Sequence, residues 1–194
     1  MVATPTRPEL TDAATLRELA ASNSILSEID PKALNAVLDS AQLVRIDHGE
    51  EFRENFTSKN VLFPVSGIIG GMLETADGAS IQPVFVDSGG VIGGIRAVLG
   101  MELHLLYKVR LSGQGILIRS ATTREIATKY PDLHSAISKA GARQFRLAVL
   151  NGLCGRFHLL GKRCCTWLAV VHNQVSGDVV PITHEELSEI VGAT

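Results

Sequence analysis

The sequence predicts an α+β fold in which an antiparallel β-roll or jelly roll is followed by a long helix and by an incomplete helix-turn-helix. Two changes of hydrophobic period support this prediction. Apolar residues recur at helical spacing before Gln42, at strand spacing from Gln42 to Ser120, and at helical spacing again afterwards. With 194 residues, 45% of them hydrophobic and 20% charged, the chain can form one medium domain and part of another.

The first segment predicts two short helices. The stretches "LTDAATLRELAAS" and "SILSEIDPKALNAVLDSA" carry apolar residues at helical spacing. We expect an interruption of the second helix at Pro31, because proline favours the start of a new turn.

Four segments that are rich in Val, Ile, Leu and Phe predict a series of antiparallel strands. They are bounded by Gly, Asp and Ser, and they read "QLVRID", "NVLFPVSGIIGGMLET", "ASIQPVFVDSGG" and "HLLYKVRLSGQGILIRS". A hairpin tip is predicted at Thr75-Ala76-Asp77-Gly78, with further turns at His48-Gly49 and Gly113-Gln114-Gly115.

From Asp132 to Val175 small or apolar residues recur in the 4-3 spacing of a heptad seam. The seam is longer than one barrel requires, so part of it is expected to pack against a second copy of the chain. An intramolecular helical hairpin over the barrel is the alternative. The seam consists of Ala136, Ala140, Leu147, Leu150, Cys154, Phe157, Gly161, Cys164, Leu168 and Val171.

Glycines within this segment argue against a single unbroken helix, because each costs about 1 kcal/mol in a helix interior. Gly152, Gly155 and Gly161 all fall in it. We therefore predict a helix from about Asp132 to Cys154, a hinge across "GRFHLL", and a second helix from about Gly161 to Gln174.

The end of the chain predicts one more helix, which has a capping box. Thr183 can cap its first turn while Glu186 reaches back to the amide of Thr183. Gly192 stands where a helix needs a left-handed residue to end. A capped helix followed by a glycine turn is the first half of a helix-turn-helix.

The formal charge of -2 is divided unevenly along the chain. Residues 1–132 hold 12 Lys/Arg and 16 Asp/Glu, whereas residues 133–177 hold six Lys/Arg and no acidic residue. Such a basic segment favours contact with the phosphate backbone of a nucleic acid. The alternative interpretation is that these charged side chains lie on a solvated helix face.

Composition and patterning also exclude several classes of protein. No stretch reaches the roughly 18 consecutive apolar residues of a membrane span, and "MVATPTRPELTDAAT" lacks the pattern of a signal peptide. We therefore expect a cytoplasmic protein with no membrane partner. Cys154, Cys164 and Cys165 match no disulfide or zinc pattern, and we predict that they are small core residues.

The closing segment "ITHEELSEIVGAT" resembles the first helix and turn of the winged helix-turn-helix in the Crp/Fnr family of bacterial transcription regulators. The earlier elements occur in that family's order: two helices, a β-roll with "LFPVSGIIGGMLETADGASI", a turn "GGVIGG", a long helix, a hinge and "CCTWLAVVHNQV". The resemblance spans nearly the whole chain. It implies a cyclic nucleotide-binding-like sensor domain over residues 1–131, a dimerisation helix and hinge over 132–158, and part of a winged helix-turn-helix over 159–194.

The resemblance also implies partners, namely DNA in a full-length form, a second copy of the chain, and RNA polymerase. Thr183 and His184 would contact phosphate rather than bases. The recognition helix and the wing would begin at about Thr194, so the chain as written is not expected to read the major groove. Four residues of the seam are expected at the dimer interface: Leu147, Leu150, Cys154 and Phe157.

Family members that bind cyclic AMP hold the ribose with a Gly-Glu pair and the cyclic phosphate with an Arg and a Ser or Thr, which suits the chemistry of each group. The matching turn here is Ile92-Gly93-Gly94-Ile95, so Gly94 occupies the carboxylate position. The phosphate position falls near Lys108, with Arg110 two residues on. We expect no cyclic AMP binding and no cofactor. Two interpretations of these residues remain. Another anionic ligand binds at Gly93, Gly94, Lys108 and Arg110, or the glycines form a purely structural turn.

The sequence also bears on functions other than transcription regulation. A cupin-like metalloenzyme needs two or three histidines and a carboxylate on one metal, whereas the barrel region holds only His48 and His104. Haem would depend on the same two lone histidines, and the cysteine positions exclude an iron–sulfur sensor. No nucleotide fingerprint or nucleophile–base pair indicates an enzyme. A β-roll that binds a small molecule or a protein, without binding DNA, is the alternative function.

Overall fold

The structure is a computed structural model, and it describes residues 11–74, 80–172, 175 and 179–193. Three short helices lead into the roll: α1 Ala13–Ala20, α2 Ser24–Glu28 and α3 Pro31–Leu38. Each helix is preceded by a capping residue whose side chain accepts hydrogen bonding from the first turn. These N-caps are Asp12, Asn23 and Asp30. The interruption predicted at Pro31 is confirmed, and it separates α2 from α3.

In the described part of the chain, seven strands form two antiparallel sheets. The strands are β1 Gln42–Ile46, β2 Glu51–Phe52, β3 Asn60–Pro64, β4 Ile68–Glu74, β5 Ser80–Val86, β6 Leu106–Leu111 and β7 Gly113–Arg119. One sheet has the order β1-β7-β3 and the other the order β2-β6-β4-β5. An apolar core that includes Val44, Ile69 and Val109 lies between the two sheets. The predicted antiparallel β-roll is therefore confirmed.

Two short helices interrupt the strands, and the sequence pattern did not predict either of them. They are α4 Glu54–Thr57 and α5 Gly94–Leu99. The turn at His48-Gly49 is confirmed, with Gly49 at φ 82°. Gly113 already belongs to β7, so the next turn lies at Ser112 rather than across residues 113–115. The hairpin tip predicted at residues 75–78 lies outside the described residues.

Four longer helices follow the roll: α6 Ser120–Lys129, α7 Pro131–Phe157, α8 Leu160–His172 and α9 His184–Val191. The prediction that the long helix ends at Cys154 is wrong, because α7 continues through Gly152 and Gly155. A Cβ at either glycine would meet nothing within 4 Å, so packing does not force a break there. The Asn151 Nδ2 amide donates to the Pro83 carbonyl over 2.8 Å and holds this part of α7 on β5. The interruption is confined to residues 158–159.

The heptad seam has different partners along its length. Ala136 and Ala140 are buried against the roll, in a core shared with the outer face of the three-stranded sheet and helices α1 to α3. Further on, α8 and α9 cover the outer face of the four-stranded sheet, where Trp167 and Ile190 pack around Ile68. The residues at both ends of the seam thus pack within the same chain, whereas those in its middle part are uncovered.

The prediction that the cysteines are core residues is wrong. Cys154 and Cys164 are half-buried and Cys165 is exposed. All three lie on α7 and α8, and the roll and α9 cover only one side of these helices.

Candidate functional site

A cavity of about 310 Å³ opens within the roll beside α5. Its walls come from α4, β4, α5, the loop before β6, and β6 itself. Gln144 of α7 also lines it, so the cavity lies against the long helix. Its volume is at the lower end of the range for small-ligand sites, about 300 to 1,000 Å³.

The two arginines in this cavity already contact carboxylates. Arg96 is paired with Glu102, and its Nη1 lies 3.7 Å from Oε1 of Glu54. Nη2 of Arg53 donates to Oε2 of Glu51 over 2.8 Å. An anionic ligand would have to compete with these carboxylates for the guanidinium groups, so the charges favour an uncharged ligand over a phosphate.

Uncharged polar groups in the cavity are free to act as donors. The Tyr107 phenol is protonated at neutral pH, as an ordinary tyrosine is, and burial raises its pKa further, to about 12. Nε2 of Gln144 is buried and has no hydrogen-bond partner among the described residues. A ligand that accepts from Gln144 would contact α7 directly.

Sequence reasoning missed Arg96, Glu102 and Gln144. Arg96 comes two residues after Gly94, so the Gly-rich turn was the signal that could have located it. Gln144 gave no signal, because only the fold brings α7 against the roll.

Gly93 and Gly94 lie at the start of α5, where the backbone restricts Gly93 and neighbouring side chains pack closely on Gly94. Gly93 borders the cavity and has φ 74°, and a Cβ there would lie 2.3 Å from the carbonyl oxygen of Asn60. A Cβ on Gly94 would lie 2.8 Å from Cγ1 of Val91 and 3.1 Å from Cγ2 of Ile137. These contacts explain the glycines as a tight turn, while their role in ligand binding stays a prediction.

Lys108 and Arg110 do not line this cavity, whereas Tyr107 does, because successive residues of β6 point to opposite faces of the sheet. Both side chains reach Glu189 of α9: Lys108 Nζ lies 3.3 Å and Arg110 Nη1 2.8 Å from its Oε2. The Arg110 side chain is 1% exposed. Its Nε also donates to Gln82 Oε1 over 2.8 Å. The structure therefore brings these two residues to α9 and away from Gly93 and Gly94.

Opposing effects act on the pKa of Glu189. Partial burial raises this pKa, and the Arg110 and Lys108 contacts lower it by more, so it lies below its ordinary value. Glu189 is thus a carboxylate at neutral pH, and it links α9 to β6.

The predicted capping box at the start of α9 is confirmed. The Thr183 hydroxyl accepts from the Glu186 N–H over 3.2 Å, and Glu186 Oε2 accepts from the Thr183 N–H over 3.0 Å. Gly192 ends the helix in the left-handed region at φ 63°. Thr183 and His184 are both exposed, and their contact with phosphate stays a prediction.

Glu186 also joins α9 to the roll, since its Oε1 lies 2.8 Å from Nε2 of His48. Burial raises the pKa of Glu186, and the capping N–H of Thr183, its hydroxyl and the His48 contact together lower it below the ordinary value. The start and the end of α9 are therefore both tied to the roll by a carboxylate.

The second half of α7 carries an uncovered apolar surface. Leu147, Leu150 and Phe157 of the predicted interface are 38%, 41% and 73% exposed, and Cys154 is half-buried. Sequence reasoning missed further exposed residues, although their spacing of four with Phe157 could have identified them: Phe145 at 72%, Val149 at 48% and Leu153 at 51%. We call these seven residues the α7 stripe.

The described ranges contain neither a group of metal ligands nor a membrane-spanning helix. No three or more His, Cys, Asp or Glu side chains in those ranges are grouped so that they could hold a metal ion. The α-helices found there include none with the length and apolar character needed to cross a membrane.

Solved structures with the same fold were found, whereas no family model and no curated protein matches the chain. The c-di-GMP responsive global regulator CLP of Xanthomonas campestris is 14% identical, with a TM-score of 0.67 over 85% of this chain and 86% of that one. A protein from Eubacterium rectale, described as a transcriptional regulator of the crp/fnr family, is 12% identical, with a TM-score of 0.73 over 89% and 82%. FixK2 of Bradyrhizobium japonicum is 17% identical, with a TM-score of 0.63 over 79% and 78%. At these identities the likeness shows the fold, which is that of the cyclic nucleotide-binding β-roll.

Proposed function

We propose that the chain is the effector-sensing and dimerisation part of a Crp/Fnr-like DNA-binding transcription regulator. The observation that carries this proposal is α9, a capped helix that ends in a left-handed glycine, placed after a long helix with an uncovered apolar stripe. Such a helix and turn form the first half of a helix-turn-helix. The likeness to regulators from X. campestris and E. rectale over most of the chain supports the same function.

In this function the α7 stripe pairs two copies of the chain. Exposed apolar residues of this size on one helix are typical of a surface that another molecule covers. A two-fold pair would present α9 twice, as a pair of DNA half-sites requires. The protein would act in the cytoplasm, with DNA and RNA polymerase as partners and without enzymatic activity.

Thr183 and His184 would position the protein on the phosphate backbone. They lie at the exposed N-terminal end of α9, where backbone N–H groups and the helix dipole favour an anion. Base readout would belong to a recognition helix that follows Gly192.

The effector would bind in the 310 Å³ cavity. Since Glu102 and Glu54 neutralise Arg96 there, a small uncharged molecule fits the cavity better than cyclic AMP. Gln144 offers such a molecule a hydrogen bond to α7, and so a route from the ligand to the dimer helix.

The test of this function is a DNA-binding titration on a pool of random-sequence duplexes, because the target sequence is not assigned. The chain is compared with a form extended by a recognition helix and a wing. We expect the extended form to bind as a dimer, with log K falling against log salt by about 0.9 for each phosphate neutralised. The bound pool should then be enriched in a two-fold symmetric sequence.

The control is the chain without the extension, which should bind weakly and without sequence enrichment. If the extended form binds no DNA at any salt concentration, the chain is instead a β-roll that binds a small molecule or a protein partner, and the proposal is wrong.

A further inference from the structure

A second cavity, of about 420 Å³, lies outside the roll between β5, α7, α8 and α9. We call it the β5–α9 groove. It shares no lining residue with the cavity inside the roll. Small residues of α7 leave the space open, since a Cβ on Gly152 or Gly155 would meet nothing within 4 Å. Its walls are mostly apolar and include Ile81, Phe85 and Ile190.

Three side chains that line this groove carry N–H groups without an acceptor. Gln82 Nε2, Arg163 Nε and Trp167 Nε1 are buried and have no hydrogen-bond partner among the described residues. Gln82 is 5% and Trp167 3% exposed, so solvent does not satisfy these donors. Buried polar groups without partners are rare and costly, and three around one cavity indicate a missing acceptor.

The charge around the groove is positive. Arg163 donates through Nη1 to the Val191 carbonyl over 2.6 Å, and it has no carboxylate partner in the described ranges. Lys108 and Arg110 share the single carboxylate of Glu189. Arg163 is thus a cation in the groove wall without a carboxylate partner in the described ranges, and an acceptor that carries a negative charge would be stabilised there.

We propose that the β5–α9 groove binds a small apolar carboxylic acid. Its carboxylate would accept hydrogen bonds from Arg163, Gln82 and Trp167, and a carboxylate has enough lone pairs for all three. Its apolar part would lie against Ile81 and Ile190. Because the three nitrogen atoms are buried in the protein without the acid, their side chains would have to move for the carboxylate to reach them.

The bound acid would join α8 and α9 to β5 and hold the end of the chain more firmly on the roll. This site does not depend on the proposed DNA binding, because all of its contacts lie within one copy of the chain.

Trp167 makes the site directly measurable, since it is the only tryptophan in the sequence. Decanoate is titrated into the protein below its micelle concentration while the Trp167 fluorescence is recorded, and decanol serves as the uncharged analogue. We expect a saturable change with decanoate and binding of decanol that is weaker by about tenfold or more, because an ionised acceptor is lost.

Variants identify the groove as the binding site. Arg163→Gln should weaken decanoate binding by about tenfold. Lys162→Gln removes the same charge from the neighbouring exposed residue, and it should leave the affinity within about twofold. Circular dichroism checks that both variants are folded.

The proposal is wrong if the wild-type protein gives no saturable change, or if decanol binds as tightly as decanoate. An Arg163→Gln variant that is folded and keeps the wild-type affinity would also overturn it. Should Arg163→Gln fail to fold, the comparison of decanoate with decanol on the wild-type protein still decides.

Discussion

Gly93 is a residue whose identity follows from the backbone around it. Its φ of 74° lies in the left-handed region, and a Cβ would come 2.3 Å from the Asn60 carbonyl oxygen and 3.3 Å from that of Thr57. Only glycine can adopt this φ and fit beside these two carbonyl oxygens without strain. The sequence predicted a tight turn here but not α5, because a helix of six residues is too short to display a period.

Replacing Gly93 should therefore destabilise the roll more than replacing a left-handed glycine in open space. We expect Gly93→Ala to lower the free energy of unfolding by about 2 to 4 kcal/mol, through left-handed strain together with the clash. Gly100→Ala is the control, since Gly100 has φ 68° with nothing within 4 Å of a Cβ, and should cost about 1 to 2 kcal/mol. Urea unfolding measures both, and equal losses would contradict the account of Asn60.

Arg110 illustrates what the sequence could not predict about a single residue. Its position after Lys108 in a strand suggested a ligand site. The structure instead buries it beneath α9, where its only carboxylate partner in the described residues is Glu189. The sequence contains both residues, but no pattern relates β6 to α9, because their contact depends on how α8 packs on the sheet.

Breaking this pair should cost more than breaking an exposed one. Glu189→Gln leaves the Arg110 guanidinium buried without a counter-charge, and we expect a loss of about 2 to 4 kcal/mol in urea unfolding. In a cycle with Arg110→Met, the coupling energy should be about 1 to 3 kcal/mol.

The control for this cycle is the Arg45–Asp47 pair, whose side chains are 61% and 55% exposed. Asp47→Asn should cost about 0.5 kcal/mol or less. If Glu189→Gln costs no more than Asp47→Asn, Glu189 does not hold α9 on the roll.

Among the elements, α7 was predicted in outline and corrected in detail. The heptad spacing indicated a long helix with two kinds of partner, and the structure has Ala140 buried on the roll while Phe157 is exposed. Helix propensity alone predicted a break near Gly152. It did not account for the hydrogen bond from Asn151 to Pro83, which anchors the helix across the glycines.

The attachment of α9 should weaken in acid. Its two anchoring carboxylates, Glu186 and Glu189, have pKa values below their ordinary value of 4.5. A carboxylate stabilises the folded state when its pKa is lower in the folded than in the unfolded protein. This stabilisation is complete at pH values above the unfolded-state pKa, and it is lost as the pH falls through the folded-state pKa. We therefore expect the urea midpoint reported by Trp167 fluorescence to be constant above about pH 5.5 and to fall below about pH 4.5.

The double variant Glu186→Gln, Glu189→Gln is the control for this pH dependence. Its midpoint should be lower at neutral pH and should change less between neutral pH and pH 4.5. A wild-type midpoint that is the same above and below pH 4.5 would contradict the role of these two carboxylates.

For the molecule as a whole, the sequence predicted the order of the elements and the antiparallel roll, because alternating and helical patterns mark long elements clearly. It also predicted the cap at Thr183 and the turn at Gly192, which depend on neighbours close in sequence. It did not predict where α8 and α9 lie. Their apolar faces could have packed on a second chain as well as on the sheet around Ile68, and burial alone does not distinguish these partners.

The proposed function requires that the α7 stripe pair two copies of the chain and so present α9 twice. Sedimentation equilibrium measures this directly on the chain as it stands. Leu153→Glu places a charge in the stripe at a residue that is 51% exposed, and the control, Leu159→Glu, places one outside the stripe at a residue that is 82% exposed. We expect a dimer for the wild-type protein and for Leu159→Glu. The dissociation constant of Leu153→Glu should be at least about tenfold higher, because a carboxylate would be buried in an apolar interface. A wild-type protein that stays monomeric at every concentration, or a Leu153→Glu variant that dimerises as tightly as the wild type, would contradict it.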